Sequence, residues 1–288
     1  MKLSIVIPTC NRANLLLKCL NQLSPDVQKL NPNDYEIIVS DDSTDNETKM
    51  MIEQAGQNGV IWINGPQKGP ASNRNNGARN ARGEWIIFID DDCLPDPDLI
   101  NNYIRSIEQH PEILVFEGRT TVDRPKRHFL EESPVNENGG SLWSCNFMIH
   151  KDYFEKELGG FDENFPFAAM EDVDLGLRIR KQNQTVRFVK EAFVIHPWRL
   201  RKDPVEMKRK IILSTIYFYG KHPELYTEMT FVKRTRGEFR FYIKEVLFKL
   251  IPYRGKGVFS YIHAHIVTNK NRKKYESEYR EIKTGSGR

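Results

Sequence analysis

Residues 84–92 read EWIIFIDDD. Trp85 to Ile89 are apolar without alternation and rich in β-branched and aromatic side chains, the pattern of a strand buried on both faces. The run ends abruptly in Asp90, Asp91 and Asp92. The same grammar recurs upstream: LSIVIPT (3–9) ends at Thr9, YEIIVSDDSTD (35–45) ends in acids, and VIWIN (60–64) supplies a further short strand. Helical patterns lie between them. In ANLLLKCLNQL, Leu15, Leu16, Cys19, Leu20 and Leu23 recur at helical spacing, with Asn11 or Asn14 as a candidate cap, and NETKMMIEQA reads as a second helix. Strands alternating with helices through about residue 110 predict βαβ units and a parallel sheet covered on both faces. Such sheets bind ligands at the carboxyl ends of their strands. Thr9, Asp41, Asp42 and the Asp90–Asp92 run all fall there.

Three adjacent carboxylates repel one another, and burying them unpaired is costly. A hard divalent cation, Mg²⁺ or Mn²⁺, removes the conflict, because it prefers oxygen ligands and shares them with phosphates. The competing reading is a solvated acidic turn. A second acidic pair, Glu171 and Asp172 in EDVDL (171–175), opens a predicted buried helix carrying Val173, Leu175, Leu177 and Ile179. A carboxylate there suits general-base chemistry, and equally suits the positive end of a helix macrodipole.

The remainder is less regular. ILVFEGRTTVD (113–123) reads as a strand and 124–140 as an exposed, partly mobile loop. Residues 141–163 predict a strand, a short helix and a Gly-Gly turn, and 185–196 predict strands ending at His196. GPASNRNNGARNARG (69–83) reads as a loop leading into a helix. Beyond 199 the expectation is helices, with Phe239, Ile243, Val246, Leu247 and Leu250 as an apolar stripe.

The net charge of +4 hides an asymmetry. Residues 1–198 carry 21 basic and 30 acidic side chains, whereas 199–288 carry 22 and 9. The basic third points to an anionic partner, with the inner leaflet of a membrane as the candidate surface. No apolar run approaches spanning length, and Met1-Lys2 leads straight into a strand rather than a signal peptide, so the expectation is a cytoplasmic protein, peripheral on the membrane at most. Cys10, Cys19, Cys93 and Cys145 show no CxxC pair and read as free thiols.

Six segments together carry a family resemblance: 3–12, 35–45, 69–83, 88–92, 144–163 and 171–175. In this order they resemble the motifs of the inverting nucleotide-sugar glycosyltransferases of family two. The resemblance covers about residues 1–200. It implies an α/β, GT-A (Rossmann-like) catalytic domain over 1–198, with a nucleotide-binding half to about 110 and an acceptor half over 111–198. A basic helical C-terminal extension occupies 199–288. It implies Thr9 near the nucleoside with Arg12 close by, and Asp42 on the nucleobase with Asp41 as the alternative, since DDSTD is one residue shorter than the family's DDGSTD. Arg74 would face the diphosphate. Asp90 would touch ribose or metal, Asp91 the sugar, and Asp92 would be the principal metal ligand, joined by His196. Asp172 would be the catalytic base with Glu171 supporting it, and Trp143 and Asn146 would line the donor-sugar and acceptor pocket. The implied reaction moves a sugar from a UDP- or dTDP-sugar, in preference to GDP, to a hydroxyl of a glycan or lipid-linked glycan in bacterial surface polysaccharide synthesis.

Two other classes compete. A sugar-phosphate nucleotidyltransferase would share the sheet and the cation, but PTCNR lacks the glycine-rich loop it needs. A non-enzymatic membrane or anionic-polymer binding protein leaves the strand-end acids unexplained. Nucleic acid is not an expected partner, because the basic residues are not interleaved with aromatics in a recognisable module.

Overall fold

The computed structural model describes residues 3–55, 59–226 and 240–277. The chain forms two compact units. The first comprises residues 1–123, 134–164 and 171–197; the second comprises 124–133, 165–170 and 198 onward. Relative to a simple division near residue 198, two short segments of the N-terminal region thus belong to the C-terminal unit.

The first unit is built on an eight-stranded sheet. Its strands are β1 (Leu3–Thr9), β2 (Tyr35–Asp41), β3 (Val60–Asn64), β4 (Trp85–Ile89), β5 (Leu94–Pro95), β6 (Val115–Thr121), β8 (Asn146–His150) and β9 (Val186–Ile195), while β7 (Glu131–Glu132) lies in the second unit. The order is β3-β2-β1-β4-β8-β6-β9-β5. The first four strands are parallel, β8 runs antiparallel to both β4 and β6, and β6 and β9 are parallel.

The uninterrupted apolar runs are explained by two covered faces. Ile5, Ile7, Ile37, Val39, Ile87 and Ile89 point into one core with helices α1 (Ala13–Gln22), α3 (Glu47–Gln54) and α5 (Leu99–Gln109). The alternate residues Val6, Ile38, Ile86 and Phe88 point into the other, against α4 (Pro70–Asn80), a π-helical turn at Tyr153–Glu157 and α6 (Glu171–Lys181). A short α2 (Pro25–Gln28) follows α1. Phe88 packs on Phe147, Phe154 and Phe161, with ring centroids 5.0 to 5.4 Å apart.

Neither Asn11 nor Asn14 caps α1: Asn11 adopts φ 54° and its side chain accepts from the Thr44 N–H instead. Of the stretch 69–83, expected as a loop leading into a helix, residues 70–80 are already helix. This helix meets the sheet partly through small residues, Ala71 and Ala78 sharing a core with Val6 and Ile38, and it comes so close that a Cβ on Gly77 would collide with Val6 Cγ1. In α6, Leu175 and Ile179 are buried while Val173 and Leu177 are only partly so.

The second unit contains β7, β10 (Arg199–Leu200), α7 (Pro204–Lys221) and α8 (Val258–Lys270). Asp203 caps α7, accepting from the Glu206 N–H at 2.9 Å. Its core gathers Phe129, Val246 and Val258, with Phe241, Leu250, Tyr253, Tyr261 and Ile262 around them. Residues 124–133 are therefore not a free loop. Phe129 is 2% exposed and its N–H donates to the Lys256 carbonyl. The expected apolar stripe is also altered: Leu247 is 59% exposed, and Phe239 lies outside the described residues. Phe241–Leu247 is π-helical, and its wider turn rotates Leu247 away from the face a 3.6-residue period assigns it. No described helix is long and apolar enough to cross a membrane.

Candidate active site

Strand register assembles the site. β1 pairs with β4 so that Val6 lies opposite Phe88, and continuing that register by three residues brings Thr9 level with Asp91. Thr9 Oγ1 donates to Asp91 Oδ2 at 2.7 Å. On the far side of the sheet, β5 meets β9 antiparallel with Leu94 opposite Ile195, so the next step sets Cys93 against His196. His196 Nε2 consequently lies 3.4 Å from Asp92 Oδ1. Two residues more than a hundred positions apart thus meet through sheet geometry.

The three aspartates have different environments. Asp91 is fully buried, held by Thr9 and by Arg12 Nε at 3.1 Å. The family resemblance gives it a sugar contact; its burial instead makes it the post that fixes Thr9 and Arg12. The resemblance gives Asp90 a share of the metal, yet Asp90 pairs with Arg74 Nη2 at 2.6 Å. Among the described residues the metal-competent group is Asp92, Cys93 and His196, with ligand atoms within 4.8 Å of one another.

The donor set fits a hard divalent cation through Asp92 and His196. His196 Nδ1 sits 3.2 Å from the Pro197 carbonyl, and its other ring nitrogen, Nε2, faces Asp92, so the ring is oriented with Nε2 available on the side of the carboxylate. Burial pushes the imidazole pKa down, favouring the neutral, ligating form. Burial drives the Cys93 thiol in the opposite direction, far above its usual range, which keeps it a poor ligand for Mg²⁺ or Mn²⁺.

Arg74 joins the acidic run to the second acidic pair. Its Nη1 lies 3.6 Å from Glu171 Oε1, and its guanidinium lies over the Phe161 ring at 5.7 Å. The side chain is 5% exposed and its Nε and Nη1 make no hydrogen bond. An arginine expected to face a diphosphate is thus enclosed among carboxylates. Arg12, 38% exposed at its side chain, is the more accessible guanidinium. Glu171 is buried, and burial together with the neighbouring Asp172 charge pushes its pKa up to about 7. Asp172 is also raised by burial, opposed by Arg74, and as a residue it is half-buried where Glu171 is buried.

At the ends of β1 and β2, Asp41 accepts from Trp62 Nε1 at 3.0 Å and from the Ser43 N–H. Asp42 accepts from the Gln67 N–H at 2.7 Å, and burial raises its pKa. Asn146 needs the clearest correction as a pocket residue. It is 1% exposed, and its amide accepts from Tyr103 Oη and donates to the Arg119 and Ala192 carbonyls. Its hydrogen-bonding capacity serves the sheet. Trp143 is partly exposed, with Nε1 donating to the Val135 carbonyl at 3.3 Å.

Several positioning residues escape a reading of the sequence. Asn73 donates to the carbonyls of Thr9 and Ser40, tying two strand ends together. Asn75 exchanges hydrogen bonds with the Phe161 backbone and donates to Glu163. Arg178 binds Asp174 and the carbonyls of Leu158 and Gly160, clamping the turn before α6. The signal for the two asparagines is the helix 70–80 itself, which buries only the small Ala71, Gly77 and Ala78 beside its polar residues.

Comparison with known proteins decides the family. Residues 4–170 match Glycosyl transferase family 2. The chain belongs to that family. The validoxylamine A glucosyltransferase of Streptomyces hygroscopicus subsp. jinggangensis is 27% identical over 277 residues, covering 82% of this chain. The chain spans only about 65% of that relative's length. TarS of S. aureus, solved as residues 1–349 in complex with UDP-GlcNAc, superimposes with a TM-score of 0.56 at 18% identity, covering 99% of this chain and 92% of that one. The mannosyltransferase PcManGT of Pyrobaculum calidifontis, solved with GDP-Man and Mn²⁺, gives 0.57 at 15% identity, covering 93% and 75%. These likenesses show the GT-A fold of this family 2 chain.

Proposed function

We propose that this family 2 chain is an inverting, metal-dependent glycosyltransferase. It moves a sugar from a nucleotide diphosphate sugar, UDP or dTDP before GDP, to a hydroxyl of a glycan or lipid-linked glycan in bacterial surface polysaccharide synthesis. The observation that carries this reading is the Arg74 bridge: it couples the acidic run, with its Asp92–His196 pair, to the Glu171–Asp172 pair. Metal-competent and proton-accepting groups then belong to one centre. TarS, whose structure holds UDP-GlcNAc, and PcManGT, whose structure holds GDP-Man and Mn²⁺, support the class of donor.

Asp172 takes the proton of the acceptor hydroxyl as it attacks the anomeric carbon. It is the better placed of the two acids, being partly accessible, while Glu171 is enclosed against Arg74. Glu171 and Arg74 together set the charge around Asp172. Arg12 supplies accessible positive charge beside the acidic run. Asp42 and Asp41 lie at the strand end assigned to the nucleobase. A bound Mg²⁺ or Mn²⁺, held by Asp92 and His196, would supply positive charge for the departing diphosphate.

The test is release of nucleoside diphosphate from UDP-, dTDP- and GDP-sugars with Mn²⁺, Mg²⁺ or EDTA. One donor should be hydrolysed slowly, and EDTA should abolish the reaction. Asp172→Asn should lower the rate by about 10²–10⁴-fold. Hydrolysis unaffected by EDTA and by Asp92→Ala would remove the metal from the reading.

A further inference from the structure

The tip of the C-terminal unit displays apolar side chains that its own core does not use. Val246, Leu250, Tyr253 and Val258 turn inward around Phe129. Leu247, Phe248, Ile251 and Phe259, interleaved with them, turn outward with exposures of 59, 70, 88 and 86%. They lie on the two arms of one tight reversal, 247–259, in which Arg254, Gly255 and Gly257 adopt left-handed φ values. Hydrogen bonds from Gly255 N–H to the Leu250 carbonyl and from Phe129 N–H to the Lys256 carbonyl hold the reversal to its core. The exposed side chains are therefore presented on a held scaffold.

Charge identifies what covers them. Residues 240–277 contain nine Lys or Arg and two Glu. Lys244, Arg254 and Lys256 are exposed in the same stretch of chain as the apolar group, as are Lys270, Arg272, Lys273 and Lys274 further along. A second copy of the same surface would bring two such cationic patches together. A soluble polyanion would satisfy the charge but give the four apolar side chains nothing to bury against. An anionic bilayer offers both phosphates at its surface and hydrocarbon just beneath them.

We propose that the 241–259 tip is an interfacial membrane-docking surface for anionic phospholipid. Leu247, Phe248, Ile251 and Phe259 enter the headgroup–acyl boundary, and Lys244, Arg254 and Lys256 pair with lipid phosphates. The surface lies on the bilayer rather than crossing it. Its existence does not depend on the transferase activity.

The full chain is floated with vesicles of phosphatidylcholine alone and of phosphatidylcholine mixed with phosphatidylglycerol. Binding should require the anionic lipid and weaken with salt. A Phe248→Ser/Ile251→Ser/Phe259→Ser variant should bind about tenfold less or weaker, with its thermal melt and its donor hydrolysis unchanged. Separately, Phe248→Trp should show blue-shifted fluorescence on anionic vesicles and quenching by brominated acyl chains. No binding to anionic vesicles at low salt would overturn the proposal. So would undiminished binding by the triple variant, or fluorescence of the Phe248→Trp variant unmoved by vesicles. Dimerisation of the wild type abolished by the triple variant would assign the surface to a second copy instead. Binding of polyphosphate that displaces vesicles and ignores the apolar substitutions would assign it to a soluble polyanion.

Discussion

Arg74 Nη2 lies 2.6 Å from Asp90 Oδ1, at the point where a polar helix meets the end of the central strand. The same guanidinium reaches Glu171, so one buried cation balances acids from two distant motifs. Removing one partner of a buried charge set leaves the others uncompensated. Arg74→Ala is expected to cost about 3–5 kcal/mol of stability at neutral pH by urea unfolding. The loss should shrink at mildly acidic pH, where Glu171 protonates. A loss independent of pH would contradict the electrostatic role.

Glu171 provides a signed pH test. Its folded pKa is raised from 4.5 to about 7, so the folded state holds this proton more tightly than the unfolded one. Its contribution to stability is therefore fully present below about 4.5 and is lost as pH rises through about 7. Glu171→Gln should flatten this part of the stability–pH curve, whose slope for one group reaches at most about 1.4 kcal/mol per pH unit. Parallel curves for the two proteins would remove Glu171 as the titrating group.

Asp92 and His196 should hold the cation together. Each of Asp92→Ala and His196→Ala is expected to weaken Mn²⁺ binding at least about tenfold, read by electron paramagnetic resonance of free Mn²⁺. Cys93→Ser should leave Mn²⁺ affinity unchanged, because the buried thiol is held protonated. An effect of Cys93→Ser as large as that of His196→Ala would contradict this ligand set.

Asn146→Ala should act on stability rather than on substrate affinity. It strands the Tyr103 hydroxyl and two backbone carbonyls in a fully enclosed site. Losing such partners costs about 1–3 kcal/mol per buried group. A normal melting temperature with a raised donor KM would return Asn146 to the pocket.

Gly160 tests the turn ahead of α6. Its φ is +78°, and a Cβ there would stand 2.7 Å from Asn75 Oδ1. Gly160→Ala is expected to destabilise by more than about 1 kcal/mol, the steric cost of the left-handed conformation alone. Combining it with Asn75→Ala should recover the part due to the clash, measured as a double-mutant cycle.

Much of this protein is legible in its sequence for a physical reason. Uninterrupted apolar runs such as Trp85–Ile89 can only be buried on both faces, and intervening helical periods require parallel crossovers. That determines the layered sheet and the strand-end positions of Thr9, Asp41, Asp42 and Asp90–Asp92. What tertiary structure decides is how side chains of one type are divided among tasks. Nothing local distinguishes Asp90, Asp91 and Asp92, yet the register of β1 on β4 buries Asp91 against Thr9, α4 delivers Arg74 to Asp90, and the β5–β9 pairing leaves Asp92 to His196. Asn146 reads as a pocket residue until Tyr103 and two carbonyls occupy its amide. Leu247 reads as core until a π-helical turn rotates it outward. Periodicity and composition act over a few residues and set which elements form; the partners of a polar side chain are set by register and helix approach, which bring together positions about a hundred residues apart.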